Sequence, residues 1–450
     1  VQGPRAAASG EAQALYLTAR GLVRSRDPED MQTAVMLLRE ALSRDPDFAP
    51  AWAKLGTATA LSADRSDAER ANAAHDEAIS YVRRALALDP QLAEAHGTLG
   101  MLLGFETQEA ARHIRTAAEL DPNDAEIQFW RGHVYLNDLD FENQLAAYRR
   151  ASDLDPMWRL PAADLMRVAI ELGRHREAEA ELRRFGNVTA PGRRRLLEAY
   201  FARLRNDFSE AARGLEEVRR SSHSERHFAS LLLGQLLRDI RLDGIAASLQ
   251  GMAAADASDP YGDPPNIAAV RGSNASGRTA FAQFEYLVRA VNRLVASGRA
   301  APLADLFDRR AGLLRLSAVA RPRPASLVTN GDTVALVLRQ AGREQDARTL
   351  LAAAQAQIRR TAAGPVPGWF HGEAAEIWAA SGRSDEALAS LERAVDAGWL
   401  YGGRESMDDI ADEPAFAGLR THPRFLRVRQ RIAAHLQRER QEIRQALPHL

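Results

Sequence analysis

The chain has 450 residues, 59 Lys and Arg against 60 Asp and Glu, a formal net charge of -1 and no cysteine. Near-neutrality excludes a global positive field that would draw the chain to nucleic acid or an anionic membrane. The missing thiols exclude disulfides, thiolate metal sites and a cysteine nucleophile.

Ala, Leu, Arg, Glu and Gln dominate and only 6% of residues are aromatic, which predicts an all-α protein. No apolar run approaches the roughly 20 residues of a membrane span. The positive charge is almost all arginine, with Lys54 the one lysine, a pattern that a GC-rich coding bias explains. The start Val1-Gln2-Gly3-Pro4 reads as that of a processed protein or a piece of a longer one.

Residues 1–10 are small and polar and read as a flexible lead-in. From Glu11 a helical period begins, and the first hairpin pairs Ala14–Val23 with Met31–Leu42 across the break at Asp27-Pro28. Further Asp-Pro pairs close helical stretches at Pro46, Pro90, Pro122 and Pro156, the last two prolines 34 residues apart. Ala41, Ala85, Ala117 and Ala151 stand five residues before these prolines; Leu38, Val82, Ile114 and Tyr148 stand eight before. A period of this length with a small residue, a large residue and a stop at fixed places predicts stacked helical hairpins, each with an apolar face that only a neighbour can bury.

The second repeat carries a polar insertion, Ser62 to Asp76, read as a helical extension or an exposed loop. Residues 11–185 form the N-terminal array, and 186–252 keep the period only in part, as degenerate hairpins around Asn206-Asp207-Phe208 and Leu231–Gly234. Residues 253–279 are rich in Gly, Pro, Asp and Ser and read as a loop or linker. Residues 280–400 form a C-terminal helical array, with helices at Ala280–Ala296 and Leu303–Leu316. In that array Gly342-Arg343-Glu344 and Gly382-Arg383-Ser384 open the same hairpin turn 40 residues apart. The tail, 401–450, holds short pieces opened by Glu413-Pro414 and His422-Pro423, then an amphipathic helix with Phe425, Val428, Ile432 and Leu436 on one stripe, read as a polar-faced cap.

Trp52, Leu55, Gly56, Ala78, Val82, Ala85 and Pro90, with their counterparts in the neighbouring repeats, resemble the tetratricopeptide repeat superfamily. The match covers 11–185 and 330–398 and thins over 186–329. The resemblance implies a superhelical α-solenoid whose first helices line a concave groove for a protein or peptide. Ala85–His96 and the closing Gly398-Trp399, Phe416–Arg420 and Pro423–Phe425 are similar to the repeat tails of bacterial winged-helix transcriptional regulators. That narrower likeness implies the sensory or scaffolding part of a regulator, periplasmic if its parent is membrane-anchored and otherwise cytoplasmic, with any DNA-binding or catalytic part outside this chain. Carried onto the fourth repeat, the family's groove positions fall on Glu126, Phe129, Trp130, His133 and Asn137, and on Asp164 and Arg167 in the fifth. Aromatic rings beside hydrogen-bonding groups suit a peptide or protein loop; the alternative is that Phe129 and Trp130 pack between helices. The basic and amide clamp that grips chaperone carboxylates is missing from these positions.

Three other motifs carry weaker chemistry. Gly272–Thr279 has phosphate-loop spacing with Arg278 where lysine is needed, and no strand leads into it. His223 and His227 have zinc-ligand spacing without a third ligand or a neighbouring catalytic glutamate. Arg420 to Arg444 holds eight arginines against Glu439 and Glu442, read as a solvated face rather than a lipid-binding one. No catalytic, cofactor or metal residue is therefore assigned, and the expected function is non-enzymatic protein binding. The competing expectations are an enzyme whose site involves the 253–277 loop, or a small-ligand sensor with a pocket between the repeat blocks.

Overall fold

The structure, a computed structural model, describes residues 10–25, 28–63, 68–105, 107–187, 189–221, 226–242, 294–304, 324–400 and 409–448. Among the described residues the regular elements are all helical. The linker at 253–279, the phosphate-loop-like segment, His223 and most of the two helices expected between Ala280 and Leu316 lie outside them. The chain divides between Trp158 and Arg159 into two compact units.

The first unit contains α1 (Gly10–Ser25), α2 (Pro28–Arg44), α3 (Ala49–Ser62), α4 (Ala68–Leu88), α5 (Ala93–Leu103), α6 (Gln108–Leu120), α7 (Ala125–Asn137) and α8 (Phe141–Leu154). The part of the polar insertion from Ala68 onward is helical and lengthens α4 to 21 residues. The Asp-Pro turns at Pro46, Pro90 and Pro122 are built the same way. The N–H groups of Asp45, Asp89 and Asp121 donate to the carbonyls of Ala41, Ala85 and Ala117, ending the helix. The same aspartates then accept the N–H two residues on, from Asp47, Gln91 and Asn123, in the side-chain turn that aspartate favours. Six residues past Pro46, Pro90 and Pro122 a side chain reaches back to the proline carbonyl: Trp52 Nε1 at 2.8 Å, His96 Nε2 at 3.1 Å and Gln128 Nε2 at 3.0 Å. Three different residue types thus serve one purpose, pinning the start of the next helix to the turn.

Ala41, Ala85, Ala117 and Ala151 and their large partners Leu38, Val82, Ile114 and Tyr148 are all 0% exposed. Within the second, third and fourth hairpins the helices touch at a glycine. A Cβ on Gly56 would lie 2.5 Å from Val82, one on Gly100 2.7 Å from Ile114, and one on Gly132 2.3 Å from Tyr148, so no larger residue fits without parting the helices. The small residue receives the large one, the packing that the repeat period predicts. The odd-numbered helices also pack on one another, α1 on α3, α3 on α5 and α5 on α7, and form the inner layer of the unit.

The second unit contains α9 (Arg159–Glu171), α10 (His175–Gly186), α11 (Pro191–Leu204), α12 (Phe208–Ser221), α13 (Arg226–Asp239), α14 (Pro324–Gln340), α15 (Glu344–Thr361), α16 (Gly368–Ala380), α17 (Ser384–Asp396) and α18 (Pro423–Ala446). Its hairpin turns share one form. Gly173, Asn206, Arg241, Gly342 and Gly382 take positive φ values of 61 to 75°, and the following N–H donates five residues back, Arg343 to Leu338 and Arg383 to Trp378 among them. That is the helix-ending loop in which the left-handed residue lets the chain reverse while satisfying orphan carbonyls. Leu139 builds the same turn in the first unit.

The tail's short pieces are 3-10 turns at Ile410–Asp412 and Pro414–Leu419, the second capped by the Glu413 side chain. Helix α18 starts at Pro423 with the His422 ring accepting from the Arg424 N–H. Its stripe is buried as expected, Phe425 at 0%, Val428 at 1%, Ile432 at 6% and Leu436 at 5%. The helix covers α17 and also packs on α12. Glu439 accepts the Ser209 N–H at 2.8 Å, Glu442 accepts the Ser209 hydroxyl at 2.9 Å, and Arg440 Nε donates to the Ile240 carbonyl. The arginine-rich face is solvated as expected, with Arg420, Arg427, Arg429, Arg431, Arg438 and Arg444 exposed, but part of its charge surplus is paired. Arg424 pairs with Glu392 at 2.7 Å, Arg431 with Asp396 at 2.8 Å, and Arg429 with Asp409.

Candidate functional site

Helix α3 reads Ala49 to Ser62 with one charge, Lys54, on an otherwise uncharged segment. Folding leaves Lys54 only 3% exposed, and an ammonium taken out of water is costly unless ionic partners replace the lost hydration. Two partners do so. Glu94 Oε1 lies 2.7 Å and Glu126 Oε2 3.0 Å from Nζ. Each glutamate is the second residue of its inner helix, α5 or α7, where the helix dipole also favours a carboxylate. Tyr16, on α1, donates its hydroxyl to Glu94 Oε2 at 2.8 Å and sets its ring edge-on to Phe48, 5.3 Å between centroids. One lysine thereby joins all four inner helices of the unit.

These groups form the floor of a cavity of about 240 Å³, whose rim includes Arg20 and Arg24 from α1, Asp121, and Asp124 at the start of α7. Arg24 is held by Asp155 at 3.0 Å. Asp124 caps α7, its Oδ1 accepting the N–H groups of Glu126 at 2.8 Å and Ile127 at 3.0 Å. Burial opposes the charge on Lys54, yet Glu126 and Glu94 outweigh it and hold the amine above its ordinary value, so it is a fixed cation. Burial, then Glu94, pushes the Tyr16 phenol up, and it stays a neutral donor. Burial also raises the Asp124 carboxyl, with Glu126 and Glu94 adding to it and the Ile127 N–H opposing.

The residues expected to line the groove fall in several places. Glu126 is in the cavity. Phe129 and Trp130 are 4% and 1% exposed and pack between helices. Phe129 meets Trp158 at 5.0 Å and His133 at 4.8 Å, while a Cβ on Gly97 would come within 2.7 Å of the Trp130 ring. Their bulk fills core space that small neighbours leave open, so neither ring is presented to a guest. His133 is half-buried, stacked on Phe105 at 4.8 Å and 3.2 Å from the Tyr148 hydroxyl. Asn137 donates to the His133 carbonyl of its own helix at 3.0 Å. Asp164 and Arg167 belong to the second unit and pair with each other at 3.1 Å, Arg167 also meeting Glu171 at 3.0 Å.

Tyr16, Lys54, Glu94 and Asp124 were missed by sequence reasoning, although one signal was there: a lone lysine inside an apolar inner helix. A second group was also missed. Asp332, Glu376 and Glu413, in the second unit, place one carboxylate oxygen each within 4.8 Å of the others. Asp332 is 1% and Glu413 6% exposed. An all-oxygen set of this kind suits a hard cation such as calcium or magnesium.

A scan against models of known families matches none, and a search of curated proteins returns no relative. Solved structures do align. PilF of Pseudomonas aeruginosa is 20% identical with a TM-score of 0.33, over 48% of this chain and 96% of that one. A thermophilic tetratricopeptide protein of Thermus thermophilus is 22% identical with a TM-score of 0.29, over 35% and 82%. MamA of Desulfovibrio magneticus RS-1 is 19% identical with a TM-score of 0.27, over 40% and 97%.

Proposed function

We propose that the chain is a non-enzymatic helical-repeat module that holds a protein or peptide against the inner layer of its first unit. The observation that carries this reading is the cavity of about 240 Å³ on the four inner helices, floored by Lys54, Glu94 and Glu126. A small cavity with a few fixed polar groups orients a guest group. His133 and Asn137 extend the inner face beyond it, while Phe129 and Trp130 support the wall from behind. In this reading the second unit, with Asp164 and Arg167, is a further helical-repeat surface. The wording shared with the tails of winged-helix regulators supports a sensory or scaffolding role within such a protein, with the periplasm as its compartment when the parent is membrane-anchored.

The reading is tested by site-specific photocrosslinking in the native host. A benzoyl-phenylalanine at Gln13, on the cavity rim, is compared with one at Met36, exposed at 65% on an even-numbered helix. Discrete protein adducts at position 13 that are missing at position 36 support it. Equal patterns at the two positions, or adducts at 36 alone, overturn it.

A further inference from the structure

We infer that the Lys54 cavity receives a cationic side chain, the guanidinium or ammonium of a basic segment in a partner protein. The inference rests on the proposed function and adds the chemistry of the guest. Four carboxylates line the cavity, Glu94, Asp121, Asp124 and Glu126, against three cations, Arg20, Arg24 and Lys54. One of those cations is spent outside it, since Arg24 pairs with Asp155. Lys54 is spent within it, between Glu94 and Glu126, and at 3% exposure it has no open side to offer an anion. What faces a guest is therefore a surplus of negative charge. Asp124 supplies its sharpest point: Oδ1 is occupied by two backbone N–H groups, whereas Oδ2 accepts no hydrogen bond from the described residues. A carboxylate with one oxygen fixed by a helix cap and the other open is a pre-oriented acceptor for a charged donor.

The walls agree with the floor. Phe48, Pro50, Leu92 and Ile127 line the same cavity, and apolar surface beside a carboxylate fits the methylene stem of arginine or lysine. A guest carboxylate would meet the opposite arrangement. Arg20 alone could receive it, and the nearby Glu94 and Asp124 charges already act on that guanidinium. The site is thus the reverse of a carboxylate clamp.

The probe is a fluorescein-labelled octapeptide carrying two arginines, compared by anisotropy at low salt with versions carrying citrulline or glutamate instead. The full chain is used, with Asp124→Asn and Arg20→Gln variants. Asparagine caps a helix about as well as aspartate, so the first variant removes charge and leaves α7 in place. The arginine peptide is expected to bind at least tenfold tighter than the citrulline peptide. Asp124→Asn should lose most of that preference and Arg20→Gln should increase it, whereas a merely structural change would weaken all three peptides alike. Equal binding of arginine and citrulline overturns the cationic assignment and leaves the groove reading standing. Tightest binding of the glutamate peptide, abolished in Arg20→Gln, shows an anion site and overturns it as well. Binding of none of the peptides by the folded protein overturns both readings.

Discussion

Tyr16 and Glu94 are 78 residues apart in sequence, and a 2.8 Å hydrogen bond joins them across the inner layer of the first unit. Because Glu94 also grips Lys54 at 2.7 Å, the bond closes a chain of contacts running from α1 through α5 and α3 to Glu126 on α7. The first unit's inner wall is stitched by charge as well as by apolar packing. Breaking one stitch strands another buried charge. Lys54→Met should therefore lower the stability of the first unit by about 3 kcal/mol, leaving two carboxylates beside an apolar chain. Lys54→Met combined with Glu94→Gln and Glu126→Gln should recover much of that loss. Urea denaturation followed by helical circular dichroism measures both, and equal midpoints for the single and triple variants would contradict the account.

The same lysine is a chemical reporter. With one lysine in the chain, amine acylation can mark only Lys54 and the α-amino group. Acylation requires a neutral, reachable amine, and Lys54 is neither, being 3% exposed and held protonated by its two glutamates. Treatment of the folded protein with an N-hydroxysuccinimide ester near pH 8 should leave Lys54 unmodified by peptide mass mapping while the α-amino group reacts. Glu94→Gln with Glu126→Gln should make it reactive. Ready labelling of the unaltered protein would show the cavity floor to be open.

How far the sequence foretold all this depends on distance along the chain. Ala85, Val82 and Pro90 report on one another within nine positions, so the period exposes the hairpins, and each packs where the period says. Lys54 and Glu126 are 72 residues apart, and Ser209 and Glu439 230 apart. Nothing in a local pattern links such pairs. The misplacement of Phe129 and Trp130 has another cause: a repeat template gives the face a position lies on, but not the depth to which a large ring sinks over Gly97. Arg241 hid a hairpin turn because it holds the left-handed conformation without being glycine, whereas Asn206-Asp207 could be read as a turn from the sequence.

Where glycine does occupy that turn, its role is separable from packing. A Cβ on Gly342 or Gly382 would meet nothing within 4 Å, yet their φ values are +75° and +74°. Gly342→Ala or Gly382→Ala should therefore cost about 1 kcal/mol each through backbone strain alone. A D-alanine introduced at the same position by semisynthesis should not. Equal losses for the two enantiomers would point to a contact instead.

The His96 and His113 rings bond to each other, and His113 gives the first unit a dependence on acid. Their Nδ1 atoms are 2.9 Å apart, and since His96 Nε2 meets the Pro90 carbonyl, that nitrogen carries the proton and His96 Nδ1 accepts from His113. Burial and then His96 hold the His113 imidazole below its ordinary value, with Arg112 acting the same way and Glu109 opposing; burial lowers His75 despite Asp76. Groups with depressed histidine values bind protons more readily when unfolded, so folded stability rises with pH up to the ordinary histidine value of about 6.5 and falls as the solution is acidified below it. Gln128 makes the same tie to Pro122 in the next repeat. His96→Gln should therefore keep stability at pH 7.5 and shrink the loss between pH 7 and 5, as read from thermal midpoints.

Asn206 allows two opposing effects to be weighed at one site. Its φ of 63° is strained for any residue but glycine, while its Nδ2 donates to the Gly398 carbonyl at 2.6 Å, tying the start of α12 to the turn after α17. Asn206→Gly relieves the strain and loses the bond. Each is worth about 1 kcal/mol with opposite sign, so the variant should be nearly neutral. Asn206→Ala keeps the strain and loses the bond, so it should cost about 1 kcal/mol. The difference between the variants isolates the backbone contribution, and the departure of Asn206→Gly from zero isolates how far the tie to Gly398 exceeds it. If both variants unfold alike in urea, the φ assignment at this turn is wrong and the hydrogen bond alone holds α12 to the C-terminal repeat.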